Sequence, residues 1–471
     1  MTTPTNDRPS ETVADRSFSP TLVILVLCVG SLCGALMQSL VIPIQSELPR
    51  LLGTDPSSAS WAITATLLAA AVTMPVTGRL ADMYGKKRVL VASAAVLVLG
   101  SVVAALSSAL APFLVGRVLQ GVAMGYIPVA ISLVRELAPA DKAAGAVAAV
   151  SATLGVGGAL GLPLSAWIAD DFSWHALFWL SAVLALLILV LTAVVIPPVH
   201  DEHPARVDLV GVVGLAVGLS AALIGVSKGS EWGWSDASTV GSIVGGLLVL
   251  VAWAFYELRH DDPIVDLRTS ARRPVLFTNL AAVLIGFGMM AQSIVLPQLL
   301  EAPEATGYGL GQTILQAGLW MAPAGLMMML FAPVSSALIN RVGARVTLSI
   351  GAAVVGAGYL VSLQLMDEPW RLMIGSLVGA AGVGVGYAAM PTLILDNVPE
   401  HEAGASVGVN ALMRSVGTTV AGAVMAAILT SRTVDFGGHA IPSQSAFEAC
   451  FLVGAGAAVV GALVALLVPR R

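Results

Sequence analysis

Residues 78–88 read Gly78-Arg79-Leu80-Ala81-Asp82-Met83-Tyr84-Gly85-Lys86-Lys87-Arg88. An acid, a glycine three positions on and a basic run stand between two long apolar stretches. This is the pattern of a tight helix-to-helix turn, in which Asp82 is placed to cap a helix and Gly85 is free to take a positive φ. A related pattern returns far along the chain as Leu338-Ile339-Asn340-Arg341-Val342-Gly343-Ala344-Arg345, with Asn340 and Gly343 in the corresponding places. The recurrence points to two parallel halves related by an axis along a membrane normal.

The chain of 471 residues is 57% hydrophobic and 11% charged, with a mean hydropathy of +0.89, which excludes an ordinary soluble domain. Apolar runs of the ~20 residues that cross a hydrocarbon core recur along it. They fall at 20–44, 60–80, 88–109, 111–135, 145–168, 174–197, 208–227, 238–258, 275–299, 312–338, 346–366, 370–394, 405–430 and 446–468, fourteen in all. An even number places both termini on one face. With the amino terminus inside, 17 of the 23 Lys and Arg residues fall in inner segments, while the outer segments hold only Arg50, Lys228, Arg371 and Arg432. The positive-inside rule therefore predicts a multi-pass protein of a cell membrane with both termini cytoplasmic, and a bacterial plasma membrane is expected.

Spans of this length must satisfy their backbone polar groups internally, so an all-α bundle is expected, and the short alternating segments of a membrane barrel are absent. Residues 1–19 read as a disordered cytoplasmic tail, with no cleavable signal because the first apolar run is too long. Two six-helix bundles are expected at 20–197 and 275–468, with an inserted helix pair at 208–258 and a cytoplasmic linker at 259–274.

Function has to be sought in the polar residues of the spans. Arg117 and Arg414 lie inside spans four and thirteen, where a base is costly unless it faces a cavity or an acceptor. Gln120, one turn from Arg117, and Asn410, one turn before Arg414, share their faces. Glu136 is a candidate partner for Arg79 or Lys86. Gln38, Ser39, Thr66, Asn279, Gln292 and Gln316 are further candidates for lining a cavity, with Trp320 adding aromatic bulk. No Asp or Glu stands near the middle of any span. The three cysteines, Cys28, Cys33 and Cys450, lack metal spacing and read as packing residues, so no metal site is expected. There is no phosphate-binding loop, catalytic array or basic aromatic surface for nucleic acid. An enzyme is not expected, nor a cofactor, nor nucleic acid as a partner.

These residues resemble the major facilitator superfamily and, within it, the fourteen-helix drug/proton antiporter branch of EmrB/QacA type. The run from Gly78 to Arg88 is similar to the motif that family carries between its second and third helices, and Arg117-Val118-Leu119-Gln120-Gly121 matches its fourth-helix motif. Gly229-Ser230-Glu231-Trp232-Gly233-Trp234, followed by Pro263-Ile264-Val265-Asp266-Leu267, resembles the inserted-pair region. The resemblance implies a major facilitator fold of two six-helix bundles plus two inserted helices. It also implies that Asp82, with Gly85, Arg79 and Lys86, holds the turn against the other half through a helix amino terminus. Arg117 is implied in coupling protonation to movement, and Arg414 belongs to a similar pattern in the thirteenth helix.

Gly157, Gly158, Gly161 and Pro163 resemble the glycine-proline motif of exporters in the family. The proline stands one position later than usual, and Ser165-Ala166 replace the closing glycine pair. Many members of the branch carry an aspartate in the first helix; here Met37 occupies that place, leaving Gln38, Ser39 and Gln45 as its polar neighbours. With arginines as the deepest charges, neutral, zwitterionic or anionic substrates gain weight over lipophilic cations. The expectation is proton-coupled secondary active efflux of hydrophobic or amphipathic small molecules by alternating access. The proton gradient is then the energy source, and membrane lipids, protons and the small-molecule substrate are the partners of a monomer. The alternatives are a metabolite or lipid transporter, or a non-transporting membrane sensor or scaffold.

Overall fold

The computed structural model describes residues 19–45, 47–139, 142–198, 207–436 and 439–469. The tail expected at 1–19 lies outside them except for Ser19, as does most of the connection between the sixth and seventh spans. Among the described residues, fourteen helices are long and apolar enough to cross a membrane. They are α1 Pro20–Ser39, α2 Pro56–Tyr84, α3 Lys86–Leu106, α4 Leu110–Leu137, α5 Ala143–Asp171, α6 His175–Val195 and α7 Leu209–Trp232. They continue with α8 Ala237–Glu257, α9 Arg273–Glu301, α10 Ile314–Val342, α11 Ala344–Gln364, α12 Pro369–Leu395, α13 Ala403–Ser431 and α14 Gln444–Leu466. The number agrees with the apolar runs; the ends do not always. Span one stops at Ser39 rather than 44, because turns and a short helix at Leu48–Leu52 follow, and α2 starts at Pro56 rather than 60, where Asp55 caps it by accepting from the Ser58 amide at 2.9 Å. A small hairpin, β1 Thr433–Phe436 against β2 His439–Pro442, joins α13 to α14 and had no signature in the sequence.

The first six helices and the last six pack by the same rule. In the first set α1 lies on α5 and α6, α3 on α4 and α6, and α2 on α4; in the last set α9 lies on α13 and α14, α11 on α12 and α14, and α10 on α12. Local chemistry repeats with the packing. The turns 84–86 and 342–344 each pivot on one glycine at positive φ, Gly85 at 93° and Gly343 at 84°. Neither Asp82 nor Asn340 caps the helix that follows its turn; α3 and α11 begin at the glycine itself without a side-chain cap. The fourth helix of each set is broken three residues before a proline, at Gly125 before Pro128 and at Ala388 before Pro391. Proline lacks an amide donor and its ring crowds the carbonyl four residues back, so the ladder fails at the same place in both.

The two sets meet through α2 against α13 and through α5 against α10, which are equivalent contacts under the repeat. Of the additional pair, α7 lies against α2 and α13, and α8 packs on α7. Buried side chains such as Leu27, Phe113, Tyr359 and Phe451 fill the interior of the sets, while Val183, Val190, Leu209, Leu248 and Leu463 stand exposed on the outside, as a lipid environment requires.

The α2–α13 contact depends on missing side chains. A Cβ on Gly78 would stand 2.1 Å from the Gly404 carbonyl oxygen, and one on Gly408 would stand 2.4 Å from the Met74 carbonyl oxygen. Backbone cannot yield as a side-chain tip can. Gly78→Ala is therefore expected to disfavour this arrangement by about 1–3 kcal/mol, the usual cost of overpacking. The readout is faster labelling by a water-soluble maleimide of a Ser406→Cys reporter, by roughly tenfold per 1.4 kcal/mol; unchanged labelling would show that α2 and α13 separate without hindrance.

Candidate functional site

The face that carries the turn at 84–86 is the basic face, and there the two halves are tied together. Asp82 is 4% exposed. Its Oδ1 accepts from the Gly404 amide at 3.0 Å and its Oδ2 from the Ala405 amide at 2.9 Å. Those amides are free donors at the amino terminus of the 29-residue helix α13, where the helix dipole also favours a negative charge. The bases beside Asp82 go to other acids. Lys86 pairs with Glu136 at 2.7 Å, which settles the choice between Arg79 and Lys86 in favour of the latter, and Arg79 reaches Asp262 at 4.0 Å. A second tie between the halves is the ion pair of Arg135, in α4, with Asp396, just after α12, at 2.6 Å. Among the described residues the ion pairs and carboxylate hydrogen bonds that bridge the two halves all lie on this face.

The glycines of α5 are divided between two neighbours rather than gathered on one face. Gly157 sits under the Leu32 carbonyl of α1, where a Cβ would come within 2.5 Å, and Gly161 sits under Ser39. Gly155 instead faces Met328 of α10, and Pro163 lies beside Gly318 of that helix. Gly158 has open space before it. One helix thereby packs tightly on its own half and also forms the seam with the other.

Both intramembrane arginines are buried, and among the described residues neither has a carboxylate partner. Arg117, 1% exposed, donates through Nε to the Ala62 carbonyl of α2 at 3.0 Å and through Nη1 to Gln120 Oε1 at 2.6 Å. Gln120 passes the chain on to Ser101 Oγ of α3 at 3.0 Å. Arg414 donates through Nη1 to Asn410 Oδ1 at 2.7 Å, Asn410 donates to Asn279 Oδ1 of α9 at 2.9 Å, and the guanidinium lies 4.6 Å from the ring centre of Tyr387 in α12. Arg117 thus ties three helices of its half together by hydrogen bonds, and Arg414 ties α13 to α9 by hydrogen bonds and to α12 through the Tyr387 ring.

The remaining candidates do not converge on one wall. Ser39 donates to carbonyls of α1 and to Gly157 at 3.3 Å, inside the α1–α5 seam. Thr66 is 1% exposed and donates back to Ala62 at 3.1 Å. Gln316 forms a capping box with Thr313 at the start of α10. Trp320 donates to Gln312 Oε1 at 3.0 Å, Gln292 lies half-buried against Gly379, and Gln38 is exposed. Two further clusters lack any signal in the sequence pattern. Lys228, near the end of α7, is 2% exposed, pairs with Glu231 at 2.7 Å and lies 5.3 Å from the ring centre of Trp61. Asp208 and Glu257, at the two basic-face ends of α7 and α8, are buried together. Their separation of 49 positions hides the pair until the helices are paired.

The model of the Major Facilitator Superfamily matches residues 27–422 and again 278–471. The chain belongs to this superfamily. Its members are transporters rather than enzymes, and the chain is a secondary transporter of small molecules that works by alternating access. The uncharacterized MFS-type transporter YcnB of Bacillus subtilis is 22% identical to it over 97% of both chains. The tetracenomycin C resistance and export protein of Streptomyces glaucescens is 26% identical over 92% of this chain and 81% of its own. Among solved structures, the human organic anion transporter MFSD10 (TETRAN) superposes with a TM-score of 0.67 at 16% identity, covering 95% of this chain and 100% of the other. That likeness establishes the superfamily's fold for this chain.

Asp82→Asn removes the charge and leaves one acceptor for two amides. We expect the tie to weaken by about 1–2 kcal/mol, in the range of lost helix caps. Hydrogen exchange at the amides of Gly404 and Ala405 should quicken by roughly tenfold per 1.4 kcal/mol; rates equal to wild type would show that the carboxylate does not hold this helix end.

Proposed function

We propose that the protein is a proton-driven exporter that moves hydrophobic or amphipathic small molecules out of the cytoplasm, in the manner of the fourteen-helix drug/proton antiporters. The observation that carries this reading is the tie at the basic face. Asp82 on the α13 amino terminus and Arg135 on Asp396 close the two halves together there, while α5 and α10 run past each other on small residues. With the basic face cytoplasmic, this is the arrangement of a carrier shut toward the cytoplasm. Opening requires those contacts to part, and the paired use of α2–α13 and α5–α10 supplies the hinge seams for a rocking motion. Residues 20–197 and 275–468 are then the two moving bodies, with the inserted pair riding on the first seam.

Export is supported by the glycine-proline pattern of α5 and by relatives named for resistance and export. The substrate charge follows from the arginines. Arg117 and Arg414 are positive and uncompensated by acids among the described residues, so the interior repels a desolvated cation and favours neutral, zwitterionic or anionic amphiphiles.

In sealed vesicles with an imposed pH gradient, an anionic or neutral amphiphile should move against an opposing proton flow. Arg117→Gln should reduce that movement at least about tenfold, because the α2–α3–α4 tie and the fixed charge are both lost. Flux that persists unchanged after the gradient is collapsed would overturn proton coupling, and a marked preference for permanent cations would overturn the assignment of substrate charge.

A further inference from the structure

The inserted pair holds two acids that no part of the transport mechanism above employs. Asp208 stands one residue before α7 and is 5% exposed; Glu257 is the last residue of α8 and is 2% exposed. Asp208 Oδ1 accepts from the Gly211 amide and from the Tyr256 hydroxyl, each at 2.9 Å. Its Oδ2 and both carboxylate oxygens of Glu257 lack a close hydrogen-bond partner among the described residues, although the Ile264 and Val265 amides and the Trp253 side chain turn toward Glu257. A Cβ on Gly211 would stand 2.2 Å from Asp208 Oδ2 and 2.4 Å from Glu257 Oε1, so these two orphaned oxygens face each other across a glycine.

Two carboxylates this close in a buried place do not both stay charged unless a cation or a proton lies between them. The cations nearby are committed or distant. Arg79, from α2, pairs with Asp262; Arg268 donates to the Leu258 carbonyl; and the partly exposed His260 ring stacks near Tyr256 with its Nε2 3.9 Å from Asp208 Oδ2. Asp261 and Asp266 of the following loop and His401 and Glu402 before α13 line a small cavity around Arg79, and Asp82 in the adjoining α2–α13 tie is a further buried acid on this side. Among the described residues no three side chains are arranged to hold a metal ion. We propose that Asp208 and Glu257 form a proton-binding site, in which one proton taken from cytoplasmic water is held between Glu257 Oε1 and Asp208 Oδ2.

The same loop shows what the proton controls. Ile264 and Val265, 1% and 4% exposed, insert into an apolar cluster with Val409 of α13, Val76 of α2, Val212 of α7 and Trp253 of α8. The loop is therefore a plug seated across the α2–α13 seam beside the Asp82 tie. Removing the shared proton leaves like charges under the base of that plug, and we expect their repulsion to outweigh the hold of the Ile264 and Val265 amides on a charged Glu257 and to lift it. The expected sign is that an acidic cytoplasm keeps this proton bound and the plug seated and that rising pH releases it, while protonation of Asp82 in the neighbouring tie acts in the opposite sense. In an exporter that imports protons this is feedback, a purpose that rests on the proton-coupled reading, whereas the geometry of the acid pair does not.

The test uses the full chain in lipid nanodiscs, without substrate or gradient. Infrared spectra over a pH series should show the carbonyl stretch of a protonated carboxyl at neutral pH, with a component that is lost on alkalinisation and missing in Glu257→Gln, whereas any contribution of Asp82 stays. Spin labels at Tyr84→Cys and Glu400→Cys, which straddle the seam, should move apart as pH rises. In Glu257→Gln, a neutral mimic of the protonated acid, the shift should be about tenfold smaller. Asp208→Asn neutralises the other member and serves the same purpose if the first variant fails to fold. No such band in the wild type, no component of it removed by either substitution, or an unaltered distance response in the variants would overturn the site. Loss of proton dependence in the vesicle flux, with band and distance response intact, would remove the antiport reading and leave the site standing.

Discussion

The unsatisfied amides that open α13 are the constraint around which the rest is arranged. A helix buried at its amino terminus must find acceptors for donors that have no partner within the helix, and here they come from a carboxylate on the opposite half. That choice fixes much else. Asp82 reaches the amides only because Gly78, Gly404 and Gly408 let α2 and α13 touch backbone to backbone. It stays available only because Lys86 is drawn to Glu136 and Arg79 toward Asp262. A contact assembled from two helix-end amides and a single acid is strong enough to hold one arrangement and weak enough to be given up, a balance any alternating carrier needs.

The repeat inside the chain is deeper than its sequence shows. Helices α1–α6 and α9–α14 share packing partners, single-glycine turns and a fourth helix broken three residues before a proline. Backbone chemistry has been kept while side chains have diverged. The two arginines illustrate that divergence, since Arg117 lies in the fourth helix of its half and Arg414 in the fifth of the other, each with its own set of acceptors.

What the sequence made legible were features governed by short range. The number of crossings follows from apolar length, and the turns at Gly85 and Gly343 follow from glycine placed between helices; both stand in the structure. Pairings across the fold were legible from spacing alone in few cases, Glu136 with Lys86 being one. Spacing alone offers Asp82 as the cap of its own neighbour, the resemblance implied a helix amino terminus of the other half, and its hydrogen bond runs to residue 404. Gln316 reads as a polar residue available to a cavity, but its spacing to Thr313 is that of a capping box, a local signal that outranks its place in an apolar run. Asn279 and Asn410 read as separate polar points and are partners, because α9 and α13 adjoin only after folding.

The turns at Gly85 and Gly343 leave no slack between the helices they join, since α2 ends at Tyr84 and α3 begins at Lys86, and α10 ends at Val342 and α11 begins at Ala344. A linker of several residues would absorb a tilt; a one-residue elbow conveys it. Any swing of α2 away from α13 is therefore delivered to α3 and, through the contact of α3 with α6, to the far wall of the same half. The glycine elbow converts a local parting into the displacement of an entire lever arm.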